Sequence, residues 1–139
     1  MTGAESTTRH ERLRVLVVDD EAAICRAVVT YLQRAGYEVT STQSGETAIA
    51  YMKREHVDIL LVDLRIPDMR GDVVFESGAA HQPQLRHQTI FMTGDLSERG
   101  LDLITWCKCP LLHKPFELSE LLAMVNSVAP LRDGGARTA

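Results

Sequence analysis

Positive charge is never gathered in this chain: 15 Lys and Arg stand scattered against 19 Asp and Glu, for a net charge of −4. Contacts to nucleic-acid phosphates need grouped cations, so no nucleic-acid partner is expected. Long apolar runs are also missing. No stretch approaches the roughly twenty residues of a membrane span, and Met1 to Glu11 is polar with no apolar signal core, so neither a membrane segment nor a secretion signal is expected. A cytoplasmic location follows as the plain expectation. Cysteine is sparse: Cys25, Cys107 and Cys109 are too few and too badly spaced for a disulfide framework. Cys107-Lys108-Cys109 lacks the four well-spaced ligands of structural zinc. These cysteines read as reduced thiols. The histidines at 10, 56, 81, 87 and 113 share no ligand spacing and read as surface or packing residues.

What is present is a core. The chain has 139 residues, 45% of them hydrophobic and 24% charged, which suits one soluble domain. Val15-Leu16-Val17-Val18 and Val57 to Val62 are short apolar runs rich in Val, Ile and Leu, the mark of buried strands in a parallel sheet. Further strands are expected at Tyr37 to Thr42, Gln88 to Thr93 and Leu111 to Lys114.

Between the strands, Ile24, Val28, Tyr31, Leu32 and Ala35 give the stripe of an amphipathic helix over Glu21 to Ala35. Ser44 can cap a helix over Gly45 to Glu55, and Leu118, Leu121, Leu122, Val125 and Val128 stripe a closing helix. Position in the alternation calls for a helix over Asp72 to His81, although Val73, Val74 and Gly78 are poor helix formers, and Ser97 can cap a helix running to about Cys107. Arg65 to Gly71 reads as a loop punctuated by Pro67 and Gly71. Strands alternating with helices predict an α/β fold, (βα)5, with a parallel sheet covered on both faces. Residues 1–12 and 130–139 read as flexible tails around one domain over 13–129.

Four of the five expected strands deliver a polar group where their apolar residues stop: Asp19 and Asp20 after the first, Asp63 after the third, Thr93 after the fourth and Lys114 after the fifth. One Asp after a strand is ordinarily a cap or loop residue. The ordered set is different, because ligands of open α/β sheets bind outside the carboxyl ends of the strands. Three carboxylates at two such ends repel unless a cation joins them, which outlines a metal-assisted phosphoryl site. A dinucleotide site is disfavoured, since Asp19-Asp20-Glu21-Ala22-Ala23 holds no glycine to approach a pyrophosphate. A phosphatase of the haloacid dehalogenase type would need Asp-x-Asp after the first strand, which is also absent.

The segments Val15 to Glu21, Asp63-Leu-Arg-Ile-Pro67-Asp-Met-Arg-Gly71, Phe91-Met-Thr93-Gly-Asp95 and Lys114-Pro115-Phe116 together resemble the receiver domain of two-component response regulators. The resemblance covers about Leu13 to Ala129. It implies a flavodoxin-like doubly wound sheet of order 2-1-3-4-5, with Asp63 as phosphoacceptor for a phosphohistidine donor. The donor would be a sensor histidine kinase or a His-phosphotransfer protein. The resemblance further implies Mg²⁺ held by Asp20, Asp63 and the backbone carbonyl of Arg65, with Asp19 acting through water. Thr93 and Lys114 would bind phosphoryl oxygens, and Lys114-Pro115 would be cis. Such a module catalyses only its own phosphorylation and dephosphorylation. A receiver used only as a phosphorylation-independent docking module is the alternative.

Two departures matter. Leu111 stands where many receivers carry a switch aromatic, three positions before the lysine, so an inward aromatic flip is not the expected readout. The segments around Thr93 and Lys114 look more like receivers of hybrid histidine kinases or stand-alone relatives. With only Leu131 to Ala139 after the last helix, one of those two settings is expected. A downstream protein would bind the face of the fourth helix, fifth strand and fifth helix, where Trp106 is a candidate anchor. Arg65 and Asp95 are expected to pair across the mouth of the site.

Overall fold

Strands of alternating inward and outward residues bury both faces here. A computed structural model of the chain describes residues 12–94, 102, 105 and 107–130. β1 (Arg14–Val18), β2 (Glu38–Thr42), β3 (Ile59–Asp63), β6 (Thr89–Thr93) and β7 (Leu111–His113) form one sheet in the order β2-β1-β3-β6-β7. Every pairing in it is parallel. This is the flavodoxin-like order expected from the sequence, in a single domain.

Alternation along each strand sends Leu16, Val18, Leu60, Val62 and Phe91 to one face. There they meet Ala48 and Met52 of α2 (Gly45–Arg54) and Val74 and Phe75 of α3 (Gly71–His81). Val15, Val17, Ile59, Leu61, Ile90, Met92 and Leu112 go to the other face. They pack on Cys25, Val28 and Leu32 of α1 (Ala22–Arg34) and on Leu121 and Val125 of α4 (Leu118–Val128). β1, β3 and β6 are thus covered on both sides, which is why their sequences are continuously apolar. β2, at the edge, is only half-buried.

Ser44 caps α2 as expected, its hydroxyl accepting from Thr47 N at 3.2 Å. α3 forms despite its weak helix formers because packing overrides propensity: Val74, Phe75, Gly78 and Ala79 are buried. A Cβ on Gly78 would stand 2.6 Å from Met52 Sδ, so the thioether end of Met52 lies close against α3 at this position. The segment 65–71 is more ordered than the expected loop. β4 (Arg65–Ile66) and β5 (Met69–Arg70) pair antiparallel as a minimal hairpin turning at Pro67 and Asp68. A 3₁₀ turn over Pro83–His87, unforeseen from the sequence, leads into β6. Of the expected fourth helix, Asp102, Thr105 and Cys107 are helical, while its capping Ser97, Trp106 and the partner assigned to Arg65, Asp95, lie outside the described residues. The three cysteines are free thiols, and the histidines at 56, 81, 87 and 113 are exposed.

Candidate functional site at the carboxyl edge of the sheet

The sheet order sets β1 beside β3, so their carboxyl ends deliver Asp19, Asp20 and Asp63 to one corner. Carboxylate oxygens of the three lie within 4.8 Å of one another. Asp19 is fully buried and Asp63 is 5% exposed, whereas Asp20 faces solvent. The backbone fixes two of them. Glu21 N donates to Asp19 Oδ1 at 2.8 Å, and Arg65 N donates to Asp63 Oδ1 at 2.9 Å.

Lys114 enters from the other side, just past β7, its own N–H donating to Thr93 O at 2.9 Å. Its Nζ lies 2.7 Å from Asp19 Oδ2, 2.6 Å from Asp63 Oδ2 and 2.8 Å from Glu21 Oε1. The Lys114-Pro115 peptide bond is cis, as the resemblance implied. Thr93, the last residue of β6, is buried beside this corner and paired in register with His113. Strand ends therefore bring together Asp19, Asp20, Asp63, Thr93, Lys114 and the backbone of Arg65.

Among the described residues, four carboxylates share this corner with one ammonium. Burial pushes the Asp19 carboxyl above its ordinary range, and the nearby Asp63 charge adds to that push. The Lys114 ammonium and the Glu21 N–H act the other way without overcoming it. For Lys114, burial favours loss of the proton, yet hydrogen bonds to Asp19, Asp63 and Glu21 outweigh it and hold the ammonium above its ordinary value. Asp19 and Lys114 are an ion pair that should shift in opposite directions, but both rise. Full burial of Asp19 explains it, since desolvation acts on that carboxylate more strongly than its partner compensates. Burial and the Asp19 charge likewise raise the Cys25 thiol, which donates to Asp19 O at 3.2 Å.

An all-oxygen donor set of three convergent carboxylates fits a hard divalent cation such as Mg²⁺, which favours carboxylate and water ligands. The corner is electron-rich and shaped by rigid strand ends, so it can hold a cation and place one carboxylate oxygen toward an electrophile. Gly71 makes the tight geometry possible: a Cβ there would stand 2.2 Å from Asp63 O. Two contributors carried no role in the sequence reading. Glu21 was visible beside the Asp pair. Asp68 offered no local signal, since its contacts lie more than twenty residues away.

Residues 15–126 match the response regulator receiver domain family. The chain is 35% identical over 126 residues to the probable transcriptional regulator ycf27 of Porphyridium aerugineum, covering 85% of this chain and 48% of that protein. It is 32% identical over 119 residues to the regulatory protein VanRc of Enterococcus gallinarum, covering 82% of this chain and 48% of the relative. The chain thus spans about half the length of these curated relatives. Among solved structures, a CheY-like response regulator receiver domain protein from Methanospirillum hungatei JF-1 superposes with a TM-score of 0.78 at 26% identity, covering 84% of this chain and 92% of the other. Chemotaxis protein CheY4 of Vibrio cholerae gives 0.76 at 28% identity, with 84% and 98% covered.

Proposed function

This chain belongs to the response regulator receiver domain family, and we propose that it takes a phosphoryl group onto Asp63 from a phosphohistidine donor. The observation that carries the reading is the ammonium of Lys114 set 2.6 Å from Asp63 Oδ2 and 2.7 Å from Asp19 Oδ2, inside a three-carboxylate cluster at the strand ends. Asp20, Asp63 and the Arg65 backbone carbonyl would hold Mg²⁺, with Asp19 acting through water. The metal, when bound, neutralises charge on the transferring phosphoryl group.

The chain's own residues supply positioning and electrostatics. An Asp63 carboxylate oxygen attacks phosphorus, forming the acyl phosphate as the donor's P–N bond breaks. The electron pair of that bond stays on the imidazole nitrogen of the donor. Arg65 N–H holds the other side of Asp63, so the attacking group does not rotate freely. Lys114 moves from carboxylate to phosphoryl oxygen without leaving the corner, and the Thr93 hydroxyl donates to another phosphoryl oxygen.

Dephosphorylation is the attack of water on that acyl phosphate, so the chain turns over no external metabolite. The donor is a sensor histidine kinase or His-phosphotransfer protein. Arrival of the phosphoryl group switches a downstream partner or is relayed onward. Leu111 packs half-buried against the core face that includes Phe91, so the signal passes through Thr93 and its loop to the face built from the expected fourth helix, β7 and α4. No nucleic-acid contact is part of this reading, and the setting is cytoplasmic. Incubation with Mg²⁺ and acetyl phosphate, followed by intact-mass measurement, should add one phosphoryl group to the wild type and none to Asp63→Asn. Absence of modification under every donor would overturn the reading in favour of phosphorylation-independent docking.

A further inference from the structure

We infer that Asp68 is a positioning residue for the metal site: its carboxylate ties the β4–β5 hairpin, and with it the Arg65 carbonyl, to the N-terminus of α2. The inference rests on the reading of that carbonyl as a Mg²⁺ ligand. Paired only as Arg65 with Arg70 and Ile66 with Met69, the hairpin is far too short to hold its own shape. Its root is fixed beside the phosphoacceptor by Arg65 N to Asp63 Oδ1 at 2.9 Å and by Gly71 N to Leu64 O at 2.8 Å.

Asp68 fixes its far end. Gly45 N donates to Asp68 Oδ1 at 3.0 Å, while Glu46 N and Ser44 Oγ both donate to Oδ2 at 3.0 Å. These are charge-assisted bonds to the positive end of a helix dipole, the stronger class of hydrogen bond. They also hold the Asp68 carboxyl below its ordinary range, the Glu46 and Gly45 amides being the largest causes. Met69 seals the junction, for a Cβ on Gly45 would stand 2.5 Å from Met69 Cγ. The hairpin is therefore a strut pinned at both ends, with Arg65 at the end nearest Asp63.

Mg²⁺ tolerates little departure from octahedral geometry, so a carbonyl free to swing with an unpinned hairpin binds it less well. Isothermal titration with MgCl₂ should show about tenfold weaker binding in Asp68→Ala, the usual scale for loss of a partner that orients a metal ligand. Asp68→Asn keeps one acceptor oxygen and should recover part of the affinity. Gln82→Ala loses backbone bonds to Val57, Met52 and Glu55 but keeps all three bonds to Asp68, so it should lower stability and leave Mg²⁺ affinity near wild type.

Without metal, amide hydrogen exchange over 65–70 should accelerate in Asp68→Ala and not in Gln82→Ala. A folded Asp68→Ala with wild-type affinity overturns the inference, as does equal loss in Gln82→Ala, which would mark general destabilisation. Should Asp68→Ala fail to fold, unchanged affinity in Asp68→Asn overturns it. A wild type that binds no Mg²⁺ at all brings down the proposed metal site along with the inference, whereas binding that survives in the variants brings down the inference alone.

Discussion

The two ends of the parallel sheet solve the same problem in opposite ways. At the amino end, polar side chains are matched to the backbone groups the strands leave open. Gln82 Oε1 accepts from Val57 N at 2.9 Å, and its Nε2 donates to Met52 O and Glu55 O at 2.8 Å each. Gln88 Nε2 donates to Asp58 O at 2.6 Å, while Asp58 Oδ2 accepts from Arg14 N at 2.7 Å. At the carboxyl end, Asp19, Asp63 and Glu21 compete for one ammonium, with Asp20 alongside. At the first end each of these side chains finds its partner among the described residues. Among the described residues the second is short of positive charge, a deficit that a bound cation would relieve.

That contrast can be attacked from either end. The largest effect belongs to Lys114→Met. Removing one partner of a buried ion pair should cost about 3 kcal/mol without Mg²⁺, and much of the difference from wild type should close at saturating Mg²⁺. Urea denaturation with and without MgCl₂ reads both numbers, and a deficit indifferent to Mg²⁺ would erase the distinction between the ends.

Gln82→Ala should cost about 2 kcal/mol through the unmet backbone groups it leaves. Here the deficit should be the same with or without Mg²⁺, and phosphorylation should persist. The smallest effect is on acid stability. Because the folded state holds the Asp68 carboxyl below its ordinary range, its contribution is present above that range and lost as pH falls through the folded value. Thermal unfolding followed downward from about pH 5 should therefore be less steep in Asp68→Asn than in wild type. Equal slopes would remove Asp68 from the acid limb.

Much of this was legible before the structure, for local reasons. β1 and β3 are buried on both faces, so they announce themselves as unbroken apolar runs, and the polar residues that end them mark the site. α1 and α4 show their stripes because each covers one face of the sheet. What stayed hidden depended on distant partners. Asp68 looks like any turn residue after a proline until the fold brings α2 to it. The β4–β5 hairpin is too short for a periodic signal. Gln82 reads as a helix-end residue, yet its three backbone partners come from 25 to 30 positions away. Lys114 was legible as a strand-end cation, but its hold on Glu21 spans 93 positions and required the assembled sheet.

The central claim, that the carboxyl edge is a metal-dependent phosphoryl site centred on Asp63, is tested most directly by fluorine NMR of the protein mixed with beryllofluoride, a phosphoryl mimic. A bound fluoride signal should appear with Mg²⁺ present, vanish when the metal is chelated, and never form in Asp63→Asn. A bound signal that persists in Asp63→Asn, or that forms equally well without Mg²⁺, would contradict the account.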